Sequence, residues 1–360
     1  MKKIGTPKIT FVIQQAAEAV VARLKKGVVA LILKDTAPAP GLYTVCSEED
    51  IPSGMTETNK VYIKQALIGA RGSRPRRVIL SVIGAEGDVV TGAKALATCD
   101  ADYIAGPPDM ATLDAGKLKT WLTEARKGYF IGKLVESGTA ANDMAVINFT
   151  AKNIKVGENT YTGAGYCARI AGILASTALS ASATHVPLPE VESVDAVADP
   201  DGAIEKGELI LVHDGLKAKL SRAVNSMTTA PEGVPENLRK IKLVEGLDLI
   251  RSYSMRLIED QYIGQMPNNY DTKLLIVSTL QSFLLRLETE GVLSPGSSRA
   301  AIDLDAQTAY LQDVGVDVSS MTEAEILAAD TGSVVFLTLG GLMQDSMEDF
   351  HVEFVVGGAR

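Results

Sequence analysis

Val28-Val-Ala-Leu-Ile-Leu33 is an unbroken apolar run with no polar residue for either face of a strand. It falls far short of the ~18 residues that span a bilayer, and it is too uniform for the half-wetted strand of an antiparallel sheet. A run of this kind is stable where both of its faces are covered, which means the interior of a parallel sheet with helices above and below. The residues that follow keep to that plan. The spacing of Val61, Ile63, Leu67 and Ile68 predicts a helix over 56–70. Strands are expected over 77–83, 102–105, 129–135 and 144–150, with helices over 89–98 and 113–126, the latter ended by Gly128. This β-α-β order predicts an N-terminal α/β domain over 27–180 with a mostly parallel sheet.

Residues 165–178 read as a helix poor in large side chains, and Pro187 and Pro189 then mark a change of module. The unit over 181–345 is expected to be α+β, with strands over 208–213, 239–245 and 334–339. Its first long helix, 247–262, gathers Leu247, Ile250, Leu257 and Ile258 on one face, and its second, 274–290, stops at Gly291. A short acidic helix over 322–329 follows a capping box made by Ser320 or Thr322 with Glu323 or Glu325. Both chain ends alternate. Ile9, Phe11 and Ile13 give one apolar face near the start, and Phe350, Val352, Phe354 and Val356 give another around His351 and Glu353. A lone strand cannot satisfy its own backbone, so each end must join a sheet, in its own chain or in another molecule.

At 360 residues the chain exceeds what one core supports, and two domains are expected. Apolar residues at 46% and charged residues at 22% suit a folded soluble protein and leave no role for disorder or a fibrous repeat. Cys46, Cys99 and Cys167 are too widely spaced for a disulfide framework or a CxxC clip, which points to a reducing cytoplasm. Lys2 and Lys3 have no apolar h-region behind them, so a secretory signal is not expected. The net charge of −9 argues against nucleic acid as a partner. That charge is unevenly spread: residues 1–34 carry seven cations and one acid, whereas residues 300–359 carry eleven acids and no Lys or Arg. The two ends are either solvated faces or surfaces that meet, within one chain or between chains.

Catalytic chemistry is hard to find. His185, His213 and His351 lie 28 and 138 residues apart and match no zinc pair. Gly87-Asp-Val-Val-Thr-Gly92-Ala-Lys94 approaches a phosphate loop, but its Lys falls one position late and no Ser or Thr follows. Cys167 sits in an apolar helix and reads as packing. Asp303 with Asp305, and Asp100 with Asp102, lack the Gly and distal Glu of a calcium loop and read as exposed carboxylates. The polar stretch 262–271 between the two long helices is what turn chemistry requires of such a connection. No catalytic residue, cofactor or metal is expected.

Pro7-Lys-Ile-Thr-Phe11 and Lys26-Gly-Val-Val-Ala-Leu-Ile-Leu-Lys-Asp35 resemble the opening of contractile-tail sheath proteins of myophages, defective prophages and R-type tailocins of the diffocin kind. Tyr166-Cys-Ala-Arg-Ile-Ala-Gly-Ile-Leu-Ala175 and Ser182-Ala-Thr184 resemble the segment before that family's C-terminal domain. Lys240-Ile-Lys-Leu-Val-Glu-Gly-Leu-Asp-Leu-Ile250, Glu259-Asp-Gln-Tyr-Ile-Gly264, Asn268-Asn-Tyr-Asp271 and Gly291-Val-Leu293 are similar to the domain's helical core. Ala329-Asp-Thr-Gly-Ser333 and Asp345-Ser-Met-Glu-Asp349 fit its end. Together these stretches cover most of the chain in the family's order.

The resemblance implies a structural subunit with no chemistry of its own: a minimal sheath, since 360 residues leave little room for outer insertions. It implies an N-terminal arm and linker helix over 1–26, a C-terminal sheath core domain over 181–345 and a C-terminal arm over 346–360. Ile9, Phe11, Ile13, Phe350, Val352, Phe354 and Val356 would then be strand arms exchanged between subunits. The implied partners are further copies in a helical polymer of stacked rings, an inner tail tube protein, and baseplate and terminator or collar proteins. Nucleic acid and membrane insertion are not among them. Family sheaths touch their tube through a helix near the C-terminal arm, which here carries Glu323 and Glu325; the basic Lys217, Lys219 and Arg222 are the alternative. Such a subunit is made in the bacterial cytoplasm and released within a phage tail or tailocin particle. The rival reading is a cytoplasmic nucleotide-binding α/β enzyme with its ligand at the C-terminal ends of the strands, against which the missing glycine fingerprint and the scarcity of His both count.

Overall fold

The structure, a computed structural model, describes residues 27–128, 130–354 and 356. The strand expected at Ile9, Phe11 and Ile13 and the linker helix behind it lie outside those residues. The chain runs β1 (Val28–Lys34), β2 (Gly41–Val45), α1 (Glu57–Ile68), β3 (Arg77–Ile83), α2 (Val89–Leu96), β4 (Tyr103–Ala105), α3 (Thr112–Ala125), β5 (Lys133–Glu136) and β6 (Val146–Phe149). A hairpin of β7 (Ile154–Val156) and β8 (Asn159–Tyr161) leads to α4 (Cys167–Ser176). There follow β9 (Pro187–Leu188), α5 (Pro200–Glu205), β10 (Glu208–Leu209), β11 (Leu211–His213) and β12 (Ala218–Leu220). The last part holds α6 (Ile241–Gln261), α7 (Tyr270–Thr289), β13 (Arg299–Ile302), α8 (Leu304–Asp313), α9 (Glu323–Ala328) and β14 (Leu337–Gly340).

Seven strands form one sheet in the order β10-β6-β5-β4-β1-β3-β2, parallel throughout except for β2, which runs against β3. The apolar run at 28–33 lies at its centre and is buried on both faces. Val29, Leu31 and Leu33 face a core with α1 and α4, while Val28, Ala30 and Ile32 face a second core with α2 and α3. Cutting Leu31 to Ala would remove ~2–5 kcal/mol. The small residues of α4 have a reason too. A Cβ on Gly172 would sit 2.2 Å from the carbonyl oxygen of Ala66, so α4 can cross α1 only where it has no side chain.

The sheet does not stop at residue 180. The stretch expected as one strand over 208–213 divides at Ile210, with β10 extending the large sheet beside β6 and β11 turning into a three-stranded sheet, β11-β12-β9. The strand expected over 239–245 is helical instead. A 3-10 turn at Glu236–Arg239 runs into α6 at Ile241. Residues 241–246 are buried whichever way they point, so their polar-apolar alternation carries no facial information. Ile241 joins the first core, while Leu243 and Val244 pack on Met227 and Leu238.

Helices α6 and α7 pair antiparallel, with Tyr253 and Phe283 stacked at 3.6 Å and 11° between Leu249, Leu257, Leu280 and Leu284. The two-stranded sheet β13-β14 lies over them, turning Ala300, Leu337 and Leu339 onto this core. Thr322 caps α9 in a box with Glu325, one of the two pairings the sequence offered. The strand expected over 350–356 is absent: residues 350–354 and 356 pair with no strand among the described residues.

Candidate assembly surfaces

Beyond β14 the chain folds back along the helical unit. The Leu342 amide donates to Ser297 Oγ, the Gln344 amide donates to the Val292 carbonyl, and Met343 lies over α6 at Gly246. A Cβ on Gly246 would come within 2.2 Å of the Met343 Cε. The next residues are pinned. Glu348, its side chain 4% exposed, accepts hydrogen bonds from Ser182 Oγ (2.9 Å) and Thr184 Oγ1 (2.6 Å) and sits 3.2 Å from Lys240 Nζ. Lys240 also pairs with Asp345 at 2.5 Å, and Arg222 pairs with Asp349 and reaches Glu348 at 3.8 Å. Burial pushes the Asp345 carboxyl up, but the bonds from Lys240 and the Ser346 amide bring it below the usual carboxylate range. Part of the acidic end of the sequence is thus neutralised inside its own chain, by cations that lie outside the first 34 residues.

Past this anchor no side-chain hydrogen bond or ion pair holds residues 350–354 and 356 among the described residues. Phe350, Val352, Phe354 and Val356 are 73%, 82%, 86% and 79% exposed. These are four large apolar side chains exposed along one short segment. A hollow of about 630 Å³ lies at the far end of α6, lined in part by Ile258, Tyr262, Met266, Ile276, Val335 and Leu337. It opens beside β14, whose outer edge is unpaired among the described residues.

The two proposed tube-facing groups are differently placed. Glu323 is exposed on α9, whereas the Glu325 carboxylate is engaged by the Thr322 amide and hydroxyl, which hold it below its usual range. Lys217 is exposed at the tip of the β11-β12 hairpin. Lys219 pairs with Asp214 at 3.1 Å, and Arg222 belongs to the tail anchor.

A second ionic cluster is largely buried. Asp248 on α6 meets Lys133 Nζ at 2.6 Å and Arg126 Nη2 at 2.7 Å, and Tyr103 on β4 hydrogen-bonds Glu245 one turn earlier on α6. Burial raises the Asp248 carboxyl, and the charges of Lys133 and Arg126 more than reverse that, so it stays ionised well into acid. Arg251 adds donors to the Arg126 and Gly128 carbonyls. This cluster fixes the helical unit to the N-terminal ends of the sheet strands.

The residues weighed for chemistry have structural duties. The Asp303 side chain caps α8 through the Ala306 amide, Asp102 accepts from the amides of Gly27 and Val28, and Asp100 pairs with Arg256. Cys167 is buried, with its thiol donating to the Gly163 carbonyl. Asn269 caps α7, and Asn268 holds the 331–334 loop. Where α/β nucleotide enzymes keep a phosphate, at the end of β1 facing the first turn of α1, the Asp35 carboxylate is already in place. It accepts from Thr56 and Asn59, whose bonds outweigh burial and set its pKa to about 2. No group of three or more metal-ligating side chains occurs among the described residues.

The anchor at Glu348 was not foreseen as a site. The sequence placed Ser182, Thr184 and 345–349 among familiar segments, but nothing in it says that residues 164–166 apart touch.

No family model matches the chain. The tail sheath protein of Clostridium phage phiCD119 is 34% identical over 355 residues, covering 97% of this chain and 98% of that one. This chain belongs to the contractile phage tail sheath protein family. Solved sheath structures share the fold of this sheath subunit. The sheath tail protein of Listeria innocua superposes with a TM-score of 0.69 at 13% identity, over 92% of this chain and 99% of its own. That of Desulfitobacterium hafniense gives 0.68 at 14%, over 78% and 90%. The helical sheath of the anti-feeding prophage in its contracted state gives 0.67 at 14%, over 92% and 93%. These relatives are structural proteins, and the enzyme reading finds no support among them.

Proposed function

We propose that copies of this chain polymerise as a helical sheath around an inner tube, tied to one another by strand arms at both chain ends, and that contraction of the sheath drives the tube through a target envelope. The observation that carries this reading is the reach of the C-terminal arm. Its root is fastened to Lys240 at the start of α6, while the apolar hollow lies at the other end of that helix, which at 21 residues is about 31 Å long. From Asp349, a fully extended chain advances only about 17 Å to Phe354 and about 23 Å to Val356. The four apolar side chains fall short of their own hollow, which supports the reading that another copy takes them. Strand addition at the free edge of β14 would bury them and satisfy their backbone together.

In this reading residues 27–345 form the body of the subunit, 346–360 the C-terminal arm, and 1–26, with Ile9, Phe11 and Ile13, the N-terminal one. The arms act as tethers, so subunits rotate during contraction without the mesh parting. The energy comes from rearranged subunit contacts rather than from any bound nucleotide. Glu323 on α9 is the better tube-facing candidate, because Arg222 and Lys219 of the basic alternative are already paired within the chain. Baseplate and collar proteins close the two ends. The polymer is assembled in the bacterial cytoplasm and released as part of the particle.

Electron microscopy of the purified protein tests this reading. Striated tubes or stacked rings are expected; compact oligomers at every salt and protein concentration would contradict it.

A further inference from the structure

The loop between α1 and β3 carries Arg71, Arg74, Arg76 and Arg77, and none of the four has a carboxylate within ion-pair distance among the described residues. The loop is built rather than slack. Ala70 and Ser73 exchange both backbone hydrogen bonds at 2.8–2.9 Å across Arg71 and Gly72, which take φ of +49° and +80°, a tight two-residue turn. Gly69 admits no side chain, because a Cβ there would meet the Ser73 carbonyl oxygen at 2.0 Å. Beneath the turn the buried Arg169, neutralised by Glu190, donates to the Gly69 carbonyl at 2.6 Å, while Arg71 donates to the Thr184 carbonyl. Arg74 and Arg76 are exposed on this rigid platform, and Ile68, 49% exposed, stands beside them.

An opposite surface occurs at the other side of the sequence. The end of α8 and the α8–α9 connection present Asp313 and Asp317, with no cation paired to either among the described residues, and between them Val314 and Val316 are 54% and 40% exposed. Asp305 extends the same charge along α8. One surface carries positive charge, the other negative charge around exposed Val314 and Val316, and no ion pair joins the two among the described residues. Both are fixed on packed elements, so neither can swing to meet the other.

We infer that the arginine loop of one copy docks on the α8–α9 connection of a second copy. The inference rests on the reading that copies associate, and adds where they do. Because the two surfaces are different parts of the chain, the contact is head-to-tail and leaves one of each free at every step, which propagates a ring or an open helix rather than closing a dimer. Contacts of exposed opposite charges form quickly and release in salt, which suits an interface that must be exchanged.

Charge reversal in the full-length chain tests it, with tube formation followed by sedimentation and microscopy. R74E/R76E spares Arg71 and Arg77, which are tied into the loop and the start of β3, and D313K/D317K alters only exposed carboxylates. Circular dichroism should show both variants folded. Each is expected to raise the protein concentration needed for polymer by roughly tenfold or more, and the variant with all four reversals to recover most of that loss. Wild-type tubes with R74E/R76E polymerising at the wild-type concentration would overturn this contact while leaving the sheath reading in place, as would a fourfold variant worse than either parent. A wild-type protein that stays monomeric would overturn both.

Discussion

Two ion-pair clusters hold this subunit together, and they are built for opposite purposes. The one around Asp248 lies between α6 and the base of the sheet, with Lys133 and Asp248 each 5% exposed. The one around Glu348 fastens the root of the C-terminal arm, with Lys240 and Arg222 a quarter to a third exposed and Asp349 almost bare. Buried charges of the first kind add little net stability over apolar packing, but they are intolerant of any other arrangement. They fix one orientation of the helical unit on the sheet. Pairs of the second kind join a carboxylate as buried as Asp248, Glu348 at 4% exposure, to cations a quarter to a third exposed, so they are weaker and more salt-sensitive than those of the first. On the proposed reading the body of the subunit keeps its shape as neighbours move while its arm changes direction, and the burial of each cluster would suit the motion asked of it.

The sharpest way to break this contrast is Asp248→Ala. It strands Arg126 and Lys133 in the seam and should cost about 3–5 kcal/mol in equilibrium denaturation. A loss below 1 kcal/mol would mean that the seam is solvated and the two clusters are alike. The native Asp248 carboxyl is depressed, so its contribution is present at neutral pH and disappears as pH falls through the acid range.

Glu136 offers an internal control, a carboxyl 1% exposed at the end of β5 with no cation paired to it among the described residues. Burial pushes its pKa up to about 7, offset in part by Thr139. A raised native pKa reverses the sign: stability is fully present below the unfolded value and is lost as pH rises toward and through 7. Glu136→Gln should therefore leave stability near pH 4 unchanged and add up to about 3 kcal/mol at pH 8. Equal effects at both values would show the carboxyl to be paired.

Glu348→Gln is a milder change. It should cost about 1–2 kcal/mol locally and scarcely move the global melting temperature, while amide exchange over 342–356 rises. A melting temperature lowered as much as by Asp248→Ala would make the anchor part of the core. Smallest of all, raising NaCl from 50 mM to 1 M should speed exchange at the arm root and leave the α6 amides protected.

The central sheet was legible because its strand pattern is redundant: 28–33 admits only a strand covered on both faces, and the helices between strands keep a 3.6 period. Reading failed where one residue type serves two environments. At 241–246 every direction is buried, so alternation meant nothing, and at 208–213 a single β-rich stretch is divided between two sheets by Ile210. The capping box at Thr322 was readable because capping is local in sequence. The Glu348 anchor and the Arg71–Arg77 platform were not, since each depends on contacts between residues a hundred or more positions apart.

The C-terminal segment was read as an amphipathic strand that must join a sheet in its own chain or in another molecule, and residues 350–354 and 356 pair with no strand among the described residues. Removing residues 350–360 therefore tests the account most directly. The truncated protein should melt with the wild type, because none of the described side chains removed touches the core, and should form no tubes. Tubes of normal appearance from that protein, or a chain that no longer folds, would contradict the claim that this arm belongs to a neighbouring subunit.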